Sequence, residues 1–260
     1  MDNELEFAKK LAHEAGGIMH KYFNQTDISH YKGDNTIVTT ADIEINQLVI
    51  DRVRERYPDH GVYGEEDSFG RDKSILWVCD PIDGTRMFAC GIPTAAFSLA
   101  LVIHGEPVIG VIYNPRTDRL YHAVKGQGAF CNDKPIHVND ITFESKKAIS
   151  HFDIRPGTEL FVKMSGLINK LISKTYLVSI GSCVNASTQI ACGSFVAGFY
   201  PGTKCKNVDV AAAKIIIEEA GGRVTNFYGE EQRYDQDIKG VIMSNGVVHE
   251  EILQIIREVQ

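Results

Sequence analysis

Residues 75–88 read ILWVCDPIDGTRMF. Five apolar residues from Ile75 to Cys79 predict a buried β-strand. Yet the run ends in Asp80, Pro81, Ile82, Asp83, Gly84 and Thr85. Carboxylates at the end of a buried strand repel one another and cost free energy unless something positive sits between them. This requirement constrains the fold more than any other stretch, because the rest of the chain has to complete an environment for these two acids. Pro81 denies the next amide a ladder bond, and Gly84 permits positive φ or a close backbone approach. Thr85 is placed to begin a helical turn that Gly91 and Pro93 close. Amides at a helix start attract anions such as phosphate, so hard oxygen ligands and an anion cradle stand side by side. An Asp-rich turn of purely structural purpose is the weaker reading after so apolar a strand.

Three other acidic stations fall where an element begins or ends. In VTTAD, Thr39 and Asp42 fit a T-x-x-D capping box, which alone would explain Asp42. In GEED, residues 64–67, Glu65 and its neighbours follow a short strand; alone, such a cluster reads as a solvated face. In NVDVAAAKIIIEEAGG, Asp209 is expected at the N-cap of a helix that Gly221 ends, with one oxygen free for a metal while the other caps. Glu, Asp, Asp and Asp without a His or Cys cluster form an oxygen-only set, which suits Mg²⁺. The nine histidines show no HxxxH or HxH spacing, which disfavours a zinc hydrolase. GxxxxGK[ST], D-x-D at the strand end and GxSxG are all missing, so metal-assisted phosphoryl transfer with metal-activated water as nucleophile is favoured.

Helical spacing of Leu5, Ala8, Ala12, Ala15, Ile18, Met19 and Tyr22 predicts a helix over 4–23, and Ile45, Leu48, Val49 and Val53 predict another over 41–57, stopped by Pro58. Strands are expected at 62–65, 75–80, 95–103, 106–114 and 118–124, with KGQGAF as a hairpin turn. The polar stretch 139–147 is the best internal boundary. It divides an antiparallel-rich α+β half, 1–145, carrying most of the acidic stations, from an α/β half, 146–260, closing the site. The formal net charge of −7 and the lack of a Lys/Arg block make nucleic-acid binding an unfavoured function. The acidic, amphipathic N-terminus and the shortness of AAFSLALVI, 95–103, give no sign of a signal peptide or membrane span. The six cysteines form no CxxC pair and read as reduced, packed thiols, so a cytoplasmic location is expected.

The stations VTTAD, GEE, WVCDPIDGT and VDVAAAKIIIEEAGG, in this order, resemble the inositol monophosphatase family of Mg²⁺-dependent, typically lithium-sensitive phosphatases. KGQGAFCN and GSCVNAS are weaker companions, and together the segments span about residues 32–225. The resemblance implies a layered αβαβα sandwich of the sugar-phosphatase type, two or three Mg²⁺ ions and a homodimer. It implies that Glu65, Asp80 and the backbone carbonyl of Ile82 bind one metal, and that Asp80, Asp83 and Asp209 hold a second. Asp42 and Thr85 would orient and activate the attacking water, with Glu65 counted among the catalytic groups. Asp83, the amides of Gly84 and Thr85, and Gly181 and Ser182 would contact the substrate, while Glu66 supports the site from behind.

The chain departs from the family at three points. Val208 stands where a tryptophan often precedes the last aspartate, the segment between Glu65 and Asp80 is short, and GFYPGTKCKNVD lacks the acid that holds a substrate hydroxyl in inositol-specific members. Lys204 and Lys206 stand there instead, suited either to a second anionic group on the substrate or to solvent. The expected activity is hydrolysis of a small polyol or sugar phosphate resembling inositol-1-phosphate. Fructose-1,6-bisphosphatase, 3′,5′-bisphosphate nucleotidase and histidinol-phosphate phosphatase are alternatives, as is a catalytically weak regulatory protein on the same fold.

Overall fold

The apolar run at Ile75–Cys79 lies in the interior of the largest sheet of the computed structural model, which describes residues 1–25, 28–31, 37–152, 159–201, 206–238 and 240–259. The chain opens with helix α1 (Asp2–Tyr22), a ribbon of β1 (Ile28–Tyr31) and β2 (Ile37–Thr39), and helix α2 (Thr40–Arg56). Strands β3 (Gly61–Gly64), β4 (Ser68–Phe69) and β5 (Ile75–Asp83) precede the short helix α3 (Thr85–Ala89). A meander of β6 (Ala96–Ile103), β7 (Glu106–Asn114), β8 (Arg119–Val124), β9 (Ala129–Cys131) and β10 (Lys134–Ile136) follows. Then come β11 (Ile149–Phe152), α4 (Glu159–Ile172), β12 (Tyr176–Val178), α5 (Cys183–Ala191) and β13 (Ala197–Tyr200). The chain ends with α6 (Asn207–Glu219), β14 (Arg223–Thr225), β15 (Val241–Ser244) and α7 (His249–Val259).

The eight-stranded sheet has the order β10-β9-β8-β7-β6-β5-β3-β4, and a five-stranded sheet has the order β12-β11-β13-β15-β14. Helices α1 and α2 cover the outer face of the large sheet, α5 and α6 fill the space between the sheets, and α4 and α7 cover the far face of the small sheet. The result is five layers, αβαβα. Side chains along a strand point alternately to opposite faces, and β5 shows the consequence. Trp77 and Cys79 pack with α1 and α2, while Leu76 and Val78 join the core that holds α5 and α6. Both faces are buried, which is why this strand reads as a continuous apolar run rather than an alternating one.

The middle core draws on both halves of the sequence: Leu76, Ala100 and Ile112 from the large sheet meet Ala212, Ile216 and Met243. Helix α6 approaches β7 closely because the sequence is small on both sides. A Cβ at Gly110 would lie 2.5 Å from Ile215 Cγ2 and 2.6 Å from the Ala212 carbonyl oxygen, so only glycine admits the helix there. The 139–147 stretch links the sheets, and Asn139 ties it down by donating to the carbonyls of Gly193 (2.8 Å) and Phe195 (3.1 Å).

The helices and strands expected over residues 4–124 are present, and short strands are the additions. The two-residue β4 and the three-residue β9 and β10 carry too few side chains to show a period. Asp209 is a correction: helix α6 starts at Asn207 with Lys206 as N-cap, so Asp209 is the third helical residue and not the cap itself.

Candidate active site

Two of the four acidic stations, the Asp80–Asp83 stretch and Asp209, meet at the C-terminal end of β5, and sheet register explains how. Residues three apart on a regular strand face opposite ways. Here Asp80 pairs with Ser98 and Asp83 with Ala96, so β5 carries one extra residue, a bulge at Pro81–Ile82. The bulge returns Asp83 to the face of Asp80, while Ile82 packs on the α1 and α2 side. Across the gap, the first turn of α6 presents Asp209. One carboxylate oxygen from each of Asp80, Asp83 and Asp209 lies within 4.8 Å of the others, and all three side chains are buried. Burial, and then the charges of Glu65, Asp209, Asp83 and Asp42, push the Asp80 carboxyl well above the usual carboxylate range.

Glu65 arrives by parallel pairing. Strand β3 runs beside β5 with Gly64 opposite Cys79, and the Glu65 amide donates to the Cys79 carbonyl at 3.1 Å, which sets Glu65 next to Asp80. Its carboxylate takes an ion pair from Lys206, Nζ to Oε1 at 3.2 Å. The turn after β3 is pinned from behind by Asn46 of α2, which donates to the Asp67 carbonyl at 3.0 Å and accepts from the Glu66 amide at 3.3 Å. A Cβ at Gly64 would come within 2.2 Å of Asn46 Oδ1, so the contact also requires that glycine. Asn46 was not among the expected site residues. Its signal was a polar residue between Ile45 and Val49 on the apolar stripe, one turn after Asp42.

Asp42 is fully buried at the start of α2, in the expected capping box. Its Oδ2 accepts from the Thr39 amide at 2.8 Å and from the Thr39 hydroxyl at 2.5 Å. The Asp42 Oδ1 lies 3.4 Å from Thr85 Oγ1, whose hydroxyl also reaches the Ile82 carbonyl at 2.9 Å. Burial pushes the Asp42 carboxyl up to about 7; the Thr39 bonds oppose the rise, and Glu65 and Glu66 add to it. Ile82 is held further by its own amide, which donates to Asp80 Oδ1 at 3.0 Å.

Gly84 is the N-cap of α3 with φ of 83°, a conformation that favours glycine, and a Cβ there would lie 3.0 Å from the Gly181 carbonyl oxygen. Gly181 and Ser182 therefore border the candidate phosphate turn. The Ser182 side chain, however, is buried behind Asp83: its hydroxyl donates to Asp83 Oδ2, as does the Val184 amide at 2.8 Å. Ser182 also caps α5 by accepting from the Asn185 amide at 3.0 Å. Asp83 thus leans one oxygen on a helix N-terminus, where donors and dipole favour negative charge. Lys204 lies outside the described residues, as does Cys205. The structure does bring Lys206 to the site, on Glu65.

A cluster of buried carboxylates with a backbone carbonyl beside it, and no His or Cys within it, is a hard-oxygen donor set that fits Mg²⁺. The profile of the inositol monophosphatase family matches residues 1–260. The chain belongs to this family. It is 31% identical over 260 residues to the fructose-1,6-bisphosphatase/inositol-1-monophosphatase of Thermotoga maritima, covering 99% of this chain and 97% of that protein. It is 32% identical over 239 residues to Nus factor SuhB of Pasteurella multocida, covering 88% of this chain and 87% of that protein. Among solved structures, the Thermotoga maritima IMPase matches it with a TM-score of 0.86 at 29% identity, covering 100% of this chain and 98% of that one. Membership of the inositol monophosphatase family makes the chain a metal-dependent phosphatase with the layered fold that the resemblance implied. Among the described residues, no helix is long and apolar enough to cross a membrane.

Proposed function

We propose that this family member is a Mg²⁺-dependent phosphomonoesterase acting on a small polyol or sugar phosphate. The observation that carries the reading is the convergence of Asp80, Asp83 and Asp209 within 4.8 Å, beside the Asp42–Thr85 pair. In this reading Glu65, Asp80 and the Ile82 carbonyl hold one metal, and Asp80, Asp83 and Asp209 hold another. When bound, Mg²⁺ neutralises charge on the phosphate and leaving oxygens and makes water more acidic. The chain's own groups then position the reactants. Amides of Gly84 and Thr85, with Gly181 alongside, hold the phosphate. Thr85 Oγ1 orients the attacking water and passes its proton to Asp42 Oδ1. In the metal-free protein burial pushes the Asp42 carboxyl up to about 7, which favours its taking up a proton. The halves 1–145 and 146–260 act as one unit, since Asp209 comes from the second. From the family we carry over a homodimer, a cytoplasmic location and lithium sensitivity as parts of the same proposal.

The 31% identity with the fructose-1,6-bisphosphatase/inositol-1-monophosphatase of Thermotoga maritima supports inositol-1-phosphate and fructose-1,6-bisphosphate as the first substrates to try. The test is phosphate release by metal-stripped protein on those two esters, 3′,5′-adenosine bisphosphate and histidinol phosphate, each with and without Mg²⁺. Strict Mg²⁺ dependence with one favoured ester is expected. Lack of turnover on all four by a folded protein that binds Mg²⁺ would favour a regulatory role, the second reading, which the identity with a Nus factor supports.

A further inference from the structure

The Lys206 ammonium reaches Glu65 from the residue that caps α6, and its own backbone amide is clipped to Asp209 Oδ2 at 3.2 Å. One residue therefore touches both a ligand proposed for the first metal and a ligand proposed for the second. The lysine side chain is 41% exposed while the Glu65 side chain is 14% exposed, so the cation comes in from solvent onto a carboxylate that is largely shielded. The pair sets a cation on a carboxylate that stands beside the Asp80, Asp83 and Asp209 group. We propose that Lys206 is a tethered cation that competes with the metal for Glu65: it neutralises this carboxylate in the metal-free protein and has to leave when the metal arrives.

Charge and space both favour this exchange. An ammonium and a dication on the same carboxylate repel, and the interaction is strong where the surroundings exclude water. The freed lysine has somewhere to go. Beside Glu65 opens a cleft of about 380 Å³, lined among others by Glu66, Asp67, Asp237 and Arg71 as well as Lys206 itself. Its wall is fixed by the Tyr63 hydroxyl donating to Asp237 at 2.5 Å and by Arg71 lying 3.7 Å over the Tyr63 ring. The acids there receive the displaced ammonium within the reach of one side chain. Lys206 thereby lowers metal affinity at the Glu65 position while keeping the metal-free site from self-repulsion.

The inference rests on Glu65 being a metal ligand, and the experiment separates the two ideas. Metal-stripped full-length protein is titrated with MgCl₂ by calorimetry, and melting temperatures are read in chelator and in saturating MgCl₂. Lys206→Met and Lys206→Gln should bind Mg²⁺ tighter by about threefold to tenfold, as expected for loss of a partly shielded competing charge. Both should melt below wild type in chelator and level with it or above in MgCl₂, a reversal that a purely structural lysine would not produce. Lys206→Arg, which keeps the charge, should bind Mg²⁺ as wild type does. Unchanged or weaker Mg²⁺ binding by both neutral variants would overturn the proposal. Normal Mg²⁺ binding by Glu65→Gln would overturn it by a different route, by removing Glu65 from the ligand set.

Discussion

Helices α2 and α6 begin in the same way and use the result differently. Each carries an aspartate as its third residue, and each aspartate accepts from the backbone amide of the capping residue. At α2 the cap is Thr39, whose hydroxyl closes the box from both sides and fixes Asp42 Oδ2. At α6 the cap is Lys206, which has no acceptor to return, and its side chain turns away to Glu65. The first arrangement gives a carboxylate locked in orientation, with only Oδ1 facing Thr85. The second gives a carboxylate that accepts from the Lys206 amide and is gathered with Asp80 and Asp83. An acid turned towards Thr85 suits proton handling and one gathered with two other carboxylates suits metal binding, so one local motif serves two chemistries.

The largest effect that would break this contrast comes from neutralising each acid in turn. Asp209→Asn should weaken Mg²⁺ binding by more than about 10²-fold, beyond what removal of an outer-shell partner causes, and kcat/KM should fall with it. Asp42→Asn should instead leave Mg²⁺ affinity near wild type and lower kcat by about 10²- to 10⁴-fold, the usual contribution of a positioned proton acceptor. Calorimetry and steady-state kinetics on the two variants give the comparison directly, and equal losses of Mg²⁺ affinity would erase the distinction.

A smaller effect concerns pH. Within the metal-free fold burial pushes the Asp42 carboxyl up to about 7, whereas in the unfolded chain it has the ordinary aspartate value of 3.8. Between these values the folded state binds the extra proton, so this group's stabilisation is full below 3.8 and is lost as pH rises towards and through 7. In chelator, urea unfolding should show wild type losing about 2 kcal/mol relative to Asp42→Asn between pH 5 and 7. Parallel curves would mean that the burial of Asp42 is relieved by solvent. The smallest effect is Thr39→Ala, which should cost about 1–2 kcal/mol of stability through the lost cap, read as a fall in melting temperature. Because the same change frees Asp42 Oδ2, kcat should fall too, with KM little changed.

Much of this was legible in the sequence where the cause is local. The T-x-x-D pattern fixed Asp42 at a helix start, and the apolar run before Asp80 placed that acid at the end of a buried strand. The shared face of Asp80 and Asp83 was not legible, because a bulge exists only relative to the register of a partner strand, here β6. The cap of α6 was read three residues late, at Asp209, since Lys206 is an unusual capping residue with no side-chain acceptor to mark it. The Lys206–Glu65 pair joins residues 141 apart and arises from the packing of α6 between the sheets, so no spacing rule reaches it. Asn46 showed only as a polar interruption of an apolar stripe. Its partner, the turn at 64–67, is set by the parallel pairing of β3 with β5.

The placement of α6 also has a consequence for the order in which the protein is made. Ala211, Ala212 and Ala213 are inaccessible to solvent between two sheets, and the same helix carries Asp209. While the ribosome is still extending the chain through residue 200, the large sheet already has its strands but lacks the slab that seals its inner face. Asp80 then lacks Asp209 and the cover of α6, while Asp83 already has Ser182 and Val184 at the start of α5 to lean on. When α6 emerges the enclosure is completed, and the third acid arrives in the same movement. The nascent protein is therefore expected to acquire its hydrophobic seal and its metal centre together, late in synthesis, which spares it a half-built cation trap during translation.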